Sequence, residues 1–297
     1  MPQRKASPTS LCKSLWAAAC LSPALAVAQG QDLPPPAKVP PMWAAHNRHI
    51  CISATQLQQR YREQDTHGLT ADGTLNSELG TAPGTTLQGR WQGDLPLGNR
   101  SLPLWLQASS TWAQGQTRYN GYLQSGSALT PFKAKTGNTW RSHSLALGVP
   151  LPFGANGEFQ VIPHLQWASA HWQRNLVQYG ETYRHRSAGA GLLLQWAASS
   201  QWLLEAGASW RKQSPVQVSV PHLAFDAQQS GDTQRTLHLA VTWQPPSHWP
   251  GAKHWHITAQ AQHSPWDNGA SHVVNELQAP PNQHRKNQYS LGLGWRY

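Results

Sequence analysis

Residues 289 to 297 read Tyr289-Ser290-Leu291-Gly292-Leu293-Gly294-Trp295-Arg296-Tyr297. Apolar or aromatic side chains stand at the odd positions, and small or polar ones at the even positions. A period of two puts each set on its own side of an extended chain, so the segment is a strand with one apolar and one polar face. The same split organises Gln201 to Lys212, where Trp202, Leu204, Ala206, Ala208 and Trp210 oppose Glu205, Gly207, Ser209 and Arg211. Thr236 to Gln244 and His254 to Gln262 repeat it. Looser versions run through residues 87–95, 104–111, 145–149, 161–167 and 187–196, which makes nine alternating segments.

Composition says what the apolar faces meet. Tryptophan is abundant (16) and phenylalanine scarce (4); only 12% of residues are charged, yet mean hydropathy is −0.55. A soluble β-sandwich also alternates, but it would crowd its large aromatics into a core rather than bracket an apolar stripe, as Trp202 and Trp210 do. In a membrane barrel, one face of each strand meets lipid, the other the lumen, and tryptophan collects at both interfaces. Beyond the N-terminal region no apolar run reaches the length of a membrane helix, so any crossing is by a closed barrel.

The N-terminal region is organised differently. Arg4, Lys5 and Lys13 precede an apolar run from Leu15 to Leu25 closed by Ala26-Val27-Ala28, the pattern of a secretory signal peptide over residues 1–28. Acylation at Cys20 is a poorer alternative, because it leaves only a stub of apolar chain after Lys13. Residues 29–49, with Pro34, Pro35, Pro36, Pro40 and Pro41, read as a Pro-rich extended periplasmic linker before a barrel over 50–297. After cleavage only Cys51 remains, so no internal disulfide forms.

Single-chain bacterial barrels have even strand numbers, and nine segments therefore ask for a tenth. Ile52 to Glu63 is the candidate strand; its helix-friendly run Gln56 to Arg62 leaves a periplasmic or lumenal helix as the alternative, with an eight-strand barrel. Breaks after Leu95, Val149, Trp196 and Gln244 are short. Those around residues 64–84, 119–138, 214–233 and 264–287 are polar and longer, as expected of extracellular loops.

Through the signal at 15–28, the alternating strands and the terminal Leu291 to Tyr297, the chain resembles the bacterial outer-membrane β-barrel proteins as a broad class, over roughly residues 50–297. The resemblance implies an all-β fold, an antiparallel transmembrane β-barrel of about 10 strands (8 to 12), with both termini periplasmic and the protein in the bacterial outer membrane. It further implies that Leu293, Trp295 and Tyr297 form the assembly signal read by the barrel-assembly machinery, with Tyr297 in place of the usual Phe. The class holds channels, enzymes, adhesins and inert scaffolds, so fold does not settle function.

Four charges, Arg90, Asp94, Glu205 and Arg296, fall on inward faces near one end and are expected to form a lumenal charge layer, because charges in a narrow barrel need partners. Without Arg4, Lys5 and Lys13 the chain keeps 20 Lys and Arg against 13 Asp and Glu, a net charge near +7. Arg118, Arg174, Arg184, Arg186, Arg211, Lys212, Arg235 and Arg285 fall toward the outer strand ends and are expected to form a basic rim facing lipopolysaccharide phosphates. No nucleic-acid recognition module accompanies them. The histidines show no close ligand spacing, and no metal site, cofactor or catalytic residue is assigned. The expected function is a small porin-like channel or structural barrel with partners in outer-membrane lipids and lipopolysaccharide. The alternative is an outer-membrane enzyme or surface-binding protein working through its loops. An aspartate–histidine pair, as in the omptin proteases, or a serine–histidine pair, as in lipid A deacylase barrels, would have to be assembled near Glu63, Asp65, His67, His185, His263 and Asp267; spacing alone does not assemble it.

Overall fold

The computed structural model describes residues 41–297 except positions 99, 126–127, 177–178, 247, 253 and 276. The expected signal peptide, and the Pro-rich segment up to residue 40, lie outside the described residues. In chain order the elements are α1 (Pro41–His46), β1 (His49–Gln64), β2 (Thr74–Leu97), β3 (Arg100–Ser125), β4 (Ala128–Gly148), β5 (Leu151–Phe153), β6 (Phe159–Leu176), β7 (Tyr179–Ala197), β8 (Trp202–Gln213), β9 (Val216–Val220), β10 (Phe225–Gly231), β11 (Thr233–Trp243), β12 (Trp255–Ser271) and β13 (Asn282–Arg296).

Strand β13 pairs antiparallel with β12 on one side and with β1 on the other, Leu293 facing Ile257 and Ile52. From β1 the ladder runs β2, β3, β4, β6, β7, β8, β11, β12 and back to β13. A ten-strand antiparallel barrel is therefore closed, with no sheet edge left along its wall. The segment expected as strand or helix at Ile52 to Glu63 is the strand β1, which zips the barrel shut. The alternation there (Cys51, Ser53, Thr55, Leu57 and Gln59 in; Ile52, Ala54 and Arg60 out) outweighs the helix-friendly composition, because ladder bonds are available on both sides.

The apolar faces point outward. Leu165, Leu239 and Leu291 are 69%, 61% and 61% exposed, a wall that water would not tolerate as a continuous band. Aromatics bound this band at two levels. The end that carries both Pro41 and Tyr297, here the terminal end, has Phe159 stacked on Trp196, and Trp243 packed edge-on against Trp249 and Trp255. The distal level is marked by the exposed Trp112, Trp167, Trp210 and Tyr289. The spanning segments lie between the two levels.

Several strands continue well past the distal level, so much of what reads in sequence as loop is wall. β3 and β4 run to Ser125 and from Ala128, leaving residues 65–73 and 272–281 as the longer distal connections. Alternation disappears there because the outward positions become polar or cationic: Lys133, Lys135 and Arg141 on β4 lie opposite inward Thr136, Asn138 and Trp140. Beyond Ser214-Pro215 the chain resumes as the hairpin β9–β10, which pairs with β7 and β12 and raises the wall above β8 and β11.

Residues 41–46, read in sequence as the end of an extended linker, are helical instead. Proline is tolerated in a helix's first turn, where no intrahelical donor is lost. Trp43 and Asn47 are fully buried. Inward glycines on β13 and β7 make room for neighbouring rings: a Cβ on Gly294 would overlap the His256 ring, and one on Gly191 would meet the ring of His164.

Candidate functional site

The terminal mouth is closed from the inside. The Trp43 indole donates to the Gly157 carbonyl at 2.8 Å and packs with Ala197 and Leu203. Asn47 donates to Gln92 (2.7 Å) and Gln195 (2.9 Å), and Gln160 bonds both glutamines. Above these amides Arg90 pairs with Glu205 at 2.5 Å, with both side chains at most 3% exposed, while Arg90 Nε donates to Gln107 and Gln195 donates to Glu205. Of the four expected layer charges only these two meet. Arg296 donates to Gln244 (2.9 Å) and the Ala252 carbonyl (3.1 Å). Asp94 is exposed near the terminal end of β2, past Gly93, where inward–outward alternation has lapsed; its expected place in the layer is corrected.

His46 in α1 lies outside the spanning wall and meets Gln244 at 2.7 Å. Burial, reinforced by Arg296, lowers its pKa to about 4.

The distal half holds a second charged centre. Arg174 sits fully buried on β6, 2.5 Å from Glu78, 2.7 Å from Glu181 and 3.6 Å from Glu63. Its guanidinium lies over the rings of Tyr61 and Tyr119. Tyr61 donates to Glu63 at 2.5 Å. Burial raises the Glu63 pKa above the usual carboxylate range even with Arg174 beside it, as one cation among three carboxylates favours a retained proton. Around this centre Leu57, Trp140, Trp172, Tyr183, Val216, Val218 and Phe225 form an apolar cluster inside the barrel. Arg174 was expected on the outer rim. The structure corrects this: it lies on the inward parity of β6 with Trp172, and its partners are Glu181 directly opposite on β7 and, from across the lumen, Glu63 on β1 and Glu78 on β2. Arg211 is corrected in the same way, buried on the inward face of β8 and bonded to Gln234 and Thr236.

The other rim cations, Arg118, Arg184, Arg186, Lys212, Arg235 and Arg285, are exposed on the outer wall, and sequence reasoning missed Arg60, Lys133, Lys135 and Arg141 beside them. Register orders them. Arg60 stands directly opposite Arg285 and opposite Leu79; Leu79 faces Arg118, and Arg118 faces Lys135. Arg141, His171 and Arg184 form a second row. Every ion pair among the described residues uses Arg90 or Arg174, so none of these outer cations has one. Like charges placed directly across a ladder destabilise it. The signal that would have found the missed cations was their outward parity, hidden where the apolar pattern stops.

No protein-family model and no curated protein matches the sequence. Among solved structures, the Escherichia coli outer membrane protease OmpT matches with a TM-score of 0.54 at 9% identity, covering 84% of this chain and 96% of that one. This chain has the fold of the bacterial outer-membrane β-barrels. The transport unit of the E. coli autotransporter AIDA-I (TM-score 0.46, 11% identity, 93% of this chain and 97% of that one) and the Pseudomonas aeruginosa outer membrane protein OprG (0.36, 8%, 84% and 97%) are more distant matches. At such identities the likeness concerns the barrel alone.

The barrel does not gather the six distal groups considered for hydrolysis. Glu63 is held at Arg174. Asp65 accepts the amides of His67 and Thr70 within its own loop. His185 faces the lumen toward Trp266, His263 bonds Asn287, and Asp267 points outward. No described carboxylate lies within ion-pair distance of a histidine. Leu293, Trp295 and Tyr297, expected from the sequence to form the assembly signal, all stand on the outward face, 57%, 58% and 66% exposed.

Proposed function

We propose that the protein is a sealed structural barrel of the outer membrane that holds lipopolysaccharide on its outer wall. In this reading residues 1–28 are the cleaved export signal, the terminal end is periplasmic, the distal end is extracellular, and the β13 end serves as the assembly signal. The observation that carries it is the cross-strand row Arg285, Arg60, Leu79, Arg118 and Lys135, exposed above the distal aromatic level and holding two like-charge pairs, none of whose cations has an ion pair among the described residues, although Asp267 lies near Arg285. Such a row is unfavourable alone and favourable against a phosphorylated surface, which arginine meets with paired donors. Lipid A phosphates lie at that height in the outer leaflet. A conducting pore is the weaker reading, because the Trp43 plug, the Arg90–Glu205 layer and the aromatic cluster follow one another along the lumen.

The test is lipopolysaccharide binding to the refolded chain, compared with the same lipid after phosphatase treatment. Charged hydrogen bonds contribute about 1.5–3 kcal/mol each, so an R60Q/R285Q double variant, which loses about 3–6 kcal/mol, should bind at least roughly a hundredfold more weakly. Equal binding to phosphorylated and dephosphorylated lipid would remove the proposal.

A further inference from the structure

Between the Arg90–Glu205 layer and the distal aromatic cluster the lumen keeps a cavity of about 160 Å³. One buried water needs roughly 10–15 Å³, so this space takes a small molecule or a group of waters. Its wall is polar and basic: Arg211 from β8, Lys286 and His284 from β13, and His185 from β7 line it, with Trp172 and Trp266 as aromatic surfaces, and no described Asp or Glu does. Neither cation has an ion-pair partner among the described residues. Arg211 donates one Nη to Gln234 (2.9 Å) and Thr236 (3.4 Å), both neutral, and its Nε is buried without a partner. The residue as a whole is 6% exposed. The Nδ1 of His284 is likewise buried and unpartnered, while its ring stacks on Trp266 at 4.6 Å. Two cations sharing one enclosed space with no counter-charge are costly unless an anion joins them.

We propose that this cavity is a binding site for a small oxyanion, a phosphate or carboxylate group on a molecule of about monosaccharide size. Arg211 and Lys286 hold the charged group, the Arg211 Nε supplying a directed donor. Trp172 and Trp266 offer faces to a sugar-like body, and the neighbouring glutamines and serines its hydroxyl partners. The site is separate from the lipopolysaccharide row, which lies on the other side of the wall, and does not depend on it.

The experiment is equilibrium dialysis of radiolabelled orthophosphate against the full chain, refolded in detergent with the label present so that passage through the closed ends is not limiting. Saturable binding near one per chain is expected, competed by a hexose phosphate or a hexuronate and not by chloride at equal ionic strength. The stronger competitor tells which oxyanion the site prefers. R211Q and K286Q should each weaken binding roughly tenfold or more, while the outer-wall variant R235Q binds as wild type. If R211Q fails to fold, K286Q decides. Absence of saturable binding, equal competition by chloride, or binding unchanged by K286Q would overturn the assignment; loss of binding in R235Q would move the anion to the outer wall.

Discussion

At the residue scale, the two buried charged centres differ in balance, and each makes its own prediction. Arg90 and Glu205 are a one-to-one pair sealed among amides. E205Q leaves Arg90 buried and uncompensated, so unfolding by urea should show a loss of about 3–5 kcal/mol; an unchanged midpoint would remove the pair from the account. Arg174 faces three carboxylates. R174Q should cost a similar amount at neutral pH, and the loss should shrink on acidification, because protonating Glu63, whose burial already favours the proton, relieves the repulsion among the carboxylates. A loss independent of pH would mean that the guanidinium acts by packing alone. Inward charge at Arg90 and Glu205, and their place in one layer, were legible in the sequence from strand parity. Which of the four charges would pair was not, since β2 and β8 lie apart on the ring and register alone does not give distance across a lumen.

At the scale of elements, the spanning strands were legible because lipid imposes apolar residues at every second position; residues 201–212 and 289–297 show it without interruption. The distal extensions were illegible for the converse reason. Outside lipid both faces of β3 and β4 turn polar, so Lys133 to Arg141 reads as loop while its backbone bonds remain those of a ladder. The helix α1 was hidden by its prolines. Its burial predicts that W43A, which empties a fully buried indole site, costs about 3–5 kcal/mol in urea unfolding. His46 adds a pH dependence. Its folded pKa of about 4 lies below the ordinary 6.5, so the unfolded chain binds the proton first. Above pH 6.5 the group has no effect, and stability falls as pH drops from about 6.5 to about 4. Wild type and H46Q should therefore differ in their urea midpoints' pH dependence across that window; parallel curves would show that His46 is not buried as neutral imidazole.

At the scale of the molecule, the barrel presents lipid with an apolar band between two aromatic levels, and above it a wall where exposed cations outnumber acids and form no ion pair among the described residues. Its interior is occupied in layers from Trp43 to Phe225, with the basic cavity at Arg211 and Lys286 between them. A closed ten-strand wall leaves no polar backbone facing lipid, and the interior is filled at the Trp43, Arg90–Glu205 and aromatic levels. Contact with the surroundings then falls to the outer wall, which is the sense in which the chain is proposed as a structural barrel. Planar-bilayer recording of the refolded full chain tests this most directly. The account predicts silence from the wild type and discrete conductance steps from W43A combined with E205Q; steady ohmic steps from the wild type would contradict it.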